Sequence, residues 1–290
     1  MRVLTAARLM VLLATGLAGC TAGTAEFALY DAAYDAQHAE STRVLDRLGD
    51  AETTLRARLS EAEDGIAPFD PDRAPQILGL GDVDPPLTAS LRHSLDALKS
   101  YNDALSGLAT GAAAEALALR LQTASTALSE AAQSVLGVAG VGVAGVGAPG
   151  AGLQASLAAA LPALQQIATI TDRARFRRDL VAAYPAMRDL LEALRGSTPA
   201  MFDVMKRSHV VPGLLEDDVE GVPITDLPKV EADRKLLAGW VLLLDATLDA
   251  MDAAVAAADS RDAVDMTALV AGAAEVKALA DTIGALRSAN

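Results

Sequence analysis

One cysteine, three histidines and very few aromatic residues in 290 positions leave this chain short of reactive side chains. A lone cysteine, Cys20, permits no intrachain disulfide and no cysteine-ligated metal site, so stability must come from packing. His38, His93 and His209 are far apart, and neither an HExxH pattern nor a nucleophile elbow occurs. Each histidine therefore reads as a surface or boundary residue, and no catalytic residue, metal site or cofactor is expected. Asp70, Asp72, Asp82 and Asp84 offer oxygen ligands, but a calcium loop needs more ligands in a fixed order and a bidentate glutamate. They read as solvated turns. Aromatics are 3% of the chain and alternating β-branched residues are scarce, which argues against sheets. Basic residues are also in deficit, 24 against 38 acids, for a net charge of −14. So acidic a body argues against nucleic acid and against electrostatic docking on anionic headgroups.

What is abundant is alanine and leucine, good helix formers with little side-chain entropy to lose. Apolar residues recur every three or four positions, which predicts an all-α chain. Phe27, Tyr30, Tyr34, Val44, Leu48 and Leu55 mark a helix from about 24 to 63, followed by a proline-rich loop over 64–87. Thr88 is placed to cap a second helix through Leu91, Leu95, Leu98, Tyr101, Leu105 and Leu108. A third runs along Ala114, Leu117, Leu121, Ala124, Leu128, Ala131 and Val135. A fourth starts near Leu153 and continues to Arg195, kinked or divided at Pro162 and Pro185. Pro199 opens a short helix to about His209, an acidic loop follows over 211–228, and Asp226 is placed to cap a helix carrying Trp240. The last helix carries Leu269, Val276, Leu279, Ile283 and Leu286. The pattern predicts an elongated single-domain bundle of five or six long helices with coiled-coil-like packing, in which Tyr30, Tyr34, Tyr101 and Trp240 are core residues.

The N-terminus has a separate logic. Arg2 and Arg8 precede a short apolar run from Leu9 to Leu17, then small residues lead to Cys20. The run falls short of the roughly 20 apolar residues that a spanning helix needs. Leu17-Ala18-Gly19-Cys20 resembles the lipobox of bacterial lipoproteins. The resemblance covers about the first 20 residues and implies cleavage after residue 19 and acylation of Cys20 on sulfur and on the new amino terminus. Such a cysteine carries more than one chain, as a stable anchor requires. Thr21 at the next position, by the same resemblance, implies outer-membrane sorting with the body in the periplasm if the source is Gram-negative. Removing residues 1–19 deletes two arginines and no acid, taking the net charge from −14 to −16.

Ala131 to Thr171 holds no charged residue in 41 positions. Three glycine-rich pentads over 138–152 look like elastin repeats, and seven glycines between 137 and 152 each cost nearly 1 kcal/mol of helix propensity. Three readings of this connection over 136–152 stand open: a flexible tip, a buried close-packed helix pair, or a membrane-contacting tip through Val138, Val141, Val143 and Val146. The third gives the layout of alpha-helical pore-forming cytolysins, which it resembles in architecture without a shared motif. Arg173, Arg175, Arg177 and Arg178 follow directly, a basic cluster suited to phosphate headgroups, a partner's acids or its own helix neighbours. The expectation is a lipid-anchored, non-enzymatic envelope protein acting as a spacer or interaction module. Its partners would be the membrane, through the acylated Cys20, and an envelope protein. The alternatives are a membrane-active bundle using residues 135–152, and a carrier of small apolar ligands with a closed pocket near Trp240.

Overall fold

An apolar stripe on one face of a helix has to be covered by another such stripe. The computed structural model describes residues 24–64, 84–140, 150–209, 227–259 and 266–288. In it the stripes meet in one hydrophobic cluster drawn from every helix. Nine helices lie among the described residues: α1 (Thr24–Asp64), α2 (Pro86–Ala109), α3 (Ala114–Gly140), α4 (Gly150–Ile167), α5 (Arg173–Ala182), α6 (Tyr184–Gly196), α7 (Thr198–Arg207), α8 (Leu227–Asp259) and α9 (Thr267–Ser288). No strand occurs among those residues.

The expectation of five or six helices is corrected, because residues 153–195 form three helices. α4 passes through Pro162 without breaking and ends at Ile167. Asp172 then starts α5 by accepting the Arg175 N–H at 2.7 Å, an N-cap that the alanine-rich surroundings hide. Pro185 sits in the first turn of α6, where a missing N–H costs nothing. Pro199 occupies the same place in α7, as expected.

Two further expectations shift. Thr88 does not cap α2, which begins at Pro86. Glu52 of α1 does that work: its carboxylate accepts from the Leu87 N–H at 3.2 Å, the Thr88 N–H at 3.0 Å and the Thr88 hydroxyl at 3.0 Å. A carboxylate at a helix N-terminus satisfies orphan donors and faces the positive end of the dipole. The glycine-rich connection is also shorter than the 136–152 of the sequence reading, since α3 is helical to Gly140 and α4 from Gly150. The cost of about 1 kcal/mol per helical glycine is small beside the burial of Leu153, Leu157 and Leu164 on α4.

Cross-contacts fix the direction of each helix. Asp35 and Lys99 at 2.7 Å, then Asp46 and Arg92 at 2.8 Å, run α2 antiparallel to α1. Arg120 reaches the Asp103 carbonyl at 3.3 Å and His93 lies 3.7 Å from Glu130, so α3 returns alongside α2. Ser41 with Trp240 at 3.0 Å, then Arg47 with Asp233 at 3.1 Å, place α8 antiparallel to α1. α9 returns against α8 so closely that a Cβ on Gly272 would stand 3.1 Å from the Ala250 Cα. The starts of α1, α3, α5 and α9 and the ends of α2 and α8 therefore share one end, called here the Thr24 end. The end of α3 and the start of α4 lie at the opposite, Gly140 end.

Candidate functional site

The Thr24 end carries the arginine cluster that the sequence reading singled out. Arg173 donates to the carbonyls of Leu108, at 2.6 Å, and Ala112, at 2.5 Å, where α2 stops. Arg177 donates to the Asp259 carbonyl at 2.8 Å and does the same for α8. Both meet the negative end of a helix dipole. Arg175 and Arg178 share Asp179 at 3.6 and 3.4 Å, with side chains 58% and 73% exposed. At those distances and exposures the pairs hold the guanidiniums loosely. The cluster thus divides into two clamps and two solvent-facing cations.

Beside it, α1, α2 and α3 enclose a polar cleft of about 540 Å³ lined by Asp31, Asp35, Asp103, Lys99 and Arg120. Lys99 bridges Asp35 at 2.7 Å and Asp103 at 2.8 Å. Burial lowers the affinity of that amine for its proton, but the two carboxylates outweigh it and hold its pKa above the ordinary lysine value. At Asp31 burial, then the neighbouring charges of Asp103 and Asp35, push the pKa above the usual carboxylate range. The Lys99 charge and a hydrogen bond with Ser106 favour the carboxylate but are the weaker influences.

A second, apolar groove of about 380 Å³ runs between the α6–α7 junction and α8, over Pro199, Phe202, Leu237, Ala238 and Val241. Arg234 lies over the Phe202 ring at 5.4 Å, and Arg195 pairs with Asp245 at 2.5 Å on the rim. The groove is open, whereas the carrier alternative of the sequence reading calls for a closed pocket near Trp240. Trp240 does not line it; the indole is fully buried on the inner face of α8.

The three histidines do not converge. His38 contacts Asp96 at 2.8 Å, His93 approaches Glu130, and His209 contacts Asp233 at 3.0 Å. Asp233 was missed by the sequence reading: 3% exposed, it accepts from both Arg47 and His209. Its signal is position, since it continues the stripe Val230, Leu237, Trp240 and Leu244. Glu52 likewise continues Leu45, Leu48 and Leu55, and Asn102 continues Leu95, Leu98 and Leu105. Asn102 accepts a hydrogen bond from the Tyr30 hydroxyl in the core. A carboxylate or amide on an apolar stripe marks a buried bond that joins elements, and all three residues do that here. Among the described residues no three His, Cys, Asp or Glu side chains are grouped to hold a metal ion.

Cys20, Val141, Val143 and Val146 lie outside the described residues, as does the side chain of Val138. No helix of the described residues is long and apolar enough to cross a membrane. No family model, curated protein or solved structure matches the chain.

Proposed function

We propose that this protein is a lipid-anchored helical bundle of a bacterial envelope, non-enzymatic, serving as a spacer and interaction module. The observation that carries the reading is the spacing of Leu17-Ala18-Gly19-Cys20 from the body: α1 begins at Thr24, four residues beyond the acylation site. Four residues reach at most about 14 Å, so an anchor at Cys20 holds the bundle close to the bilayer. The length of α1, 41 residues, or about 60 Å at the helical rise, suits a spacer with coiled-coil-like packing. In a Gram-negative source the body faces the periplasm from the outer membrane. Support also comes from the polar core: Glu52, Asp233, Asn102 and Ser41 are all engaged in joining helices. The test is fractionation of cells expressing the full chain. Wild type is expected in the membrane fraction and Cys20→Ala in the soluble one, and equal partitioning of the two contradicts the reading.

The apolar groove over Phe202, Ala238 and Val241 favours a second reading, a carrier of small apolar ligands. Filling it with Ala238→Trp should abolish uptake of a fluorescent fatty acid if the groove is used.

A further inference from the structure

We propose that the Thr24 end is a membrane-docking face, with Leu29 and Leu119 at the boundary of headgroups and acyl chains and Arg175 and Arg178 at phosphate level. The inference rests on the anchor reading above and adds to it an orientation and a contact surface. Leu29 and Leu119 are 55% and 66% exposed, two of the large apolar side chains that the fold leaves in water. Each lies five residues inside a helix that starts at this end, which is about 7.5 Å along the axis. Arg175 and Arg178 lie two and five residues inside α5, about 3 and 7.5 Å along its axis. In a helix every Cα–Cβ bond tilts toward the N-terminus, so all four side chains lean toward the Thr24 end. Leucine and arginine at one end of a bundle is the composition of an interfacial surface, where aliphatic groups enter the boundary and guanidiniums meet phosphate.

Helix dipoles of both signs meet at this end. α1, α3, α5 and α9 present their positive ends here; of the negative ends that point the same way, those of α2 and α8 are covered by Arg173 and Arg177, and that of α4 lies six residues before Arg173. Asp172, Asp179 and Asp259 lie among the arginines, and Glu26 and Glu115 occupy the first turns of the helices that carry Leu29 and Leu119, so the face is mixed in charge and needs the acyl chains to bring it to the lipid. The occupant is therefore the bilayer into which Cys20 is anchored, fixed by four residues of chain between them. The Gly140 end then stands away from that bilayer by the length of α3, 27 residues or about 40 Å.

The experiment uses the mature, acylated full chain in phosphatidylethanolamine–phosphatidylglycerol vesicles containing lipids brominated along the acyl chain. Trp240, buried in the core, serves as the internal standard. Tryptophan is added singly at exposed positions, as Leu29→Trp, Leu119→Trp or Leu227→Trp, the last on the first turn of α8 near the Gly140 end. The added emission at 29 and 119 should be quenched at least about threefold more than at 227, since an interfacial contact buries side chains only about 5–10 Å deep. Replacing Arg175 and Arg178 together by glutamate should lower quenching at 119, and no change removes the arginines from the face. Equal quenching at 227 means a bundle lying flat. Absence of quenching at all three positions means a bundle standing off. Either result, in protein that floats with the vesicles, overturns the docking face and leaves the anchor reading intact. Failure to float, with no acyl mass on Cys20, overturns the anchor reading itself and this proposal with it.

Discussion

The Trp240 indole N–H donates to the Ser41 hydroxyl oxygen at 3.0 Å, across 199 residues of sequence and in a fully buried setting. The Gln37 amide donates to the same oxygen at 3.0 Å. Ser41→Ala strands two buried donors at once, and a stranded donor costs about 1–3 kcal/mol. Urea unfolding should show a loss of that size, together with a shifted tryptophan emission from the loosened α1–α8 seam.

Glu52 predicts an asymmetry between two substitutions. Glu52→Ala removes the acceptor for two backbone N–H groups and a hydroxyl, and losing an N-terminal cap costs about 0.5–2 kcal/mol. Thr88→Ala removes only the hydroxyl and leaves the backbone bonds. Thermal unfolding should therefore rank Glu52→Ala well below Thr88→Ala.

Asp31 makes stability fall as pH rises. Its raised pKa means that the folded chain holds this proton more tightly than the unfolded chain does. Stability is therefore lower above the folded pKa and is recovered as pH falls through it. Asp31→Asn should raise the melting temperature at pH 7, by less than about 1 kcal/mol in stability because the group is only partly buried and solvent screens it. The gain should shrink as acid protonates the wild-type carboxyl.

Gly272 is required by the approach of α9 to the α8 backbone at Ala250. A side chain there meets the Ala250 Cα at 3.1 Å and its Cβ at 3.2 Å. Gly272→Val should cost about 1–3 kcal/mol, the usual range for overpacking, as read by chemical unfolding. An unchanged midpoint would mean that the two helices can part without loss.

The sequence made the helices legible because buried stripes leave a period that composition cannot blur. Phe27, Tyr30, Tyr34, Leu117, Leu121, Leu128 and Trp240 are all buried where their spacing put them. Helix ends were less legible, because ends depend on groups from elsewhere in the chain: Glu52 starts α2 from 34 residues away, and Arg173 closes α2 from beyond α4. Pro162 and Pro185 show the same limit. One lies inside a helix and one begins a helix, and the break at Ala183, where α5 ends and α6 starts, has no counterpart at Pro162. The arginine cluster could be named from sequence, but its division into helix clamps and exposed cations needed the fold. Asp233 and Glu52 were not singled out because charge, read alone, hides their place on the apolar stripes.

The mass of the mature N-terminal peptide from membranes of the native source tests the account most directly. A peptide beginning at Cys20 and carrying a diacylglyceryl group on sulfur and an acyl group on the amine is the predicted result. A free thiol at Cys20, or a mature chain starting at another residue, would contradict it.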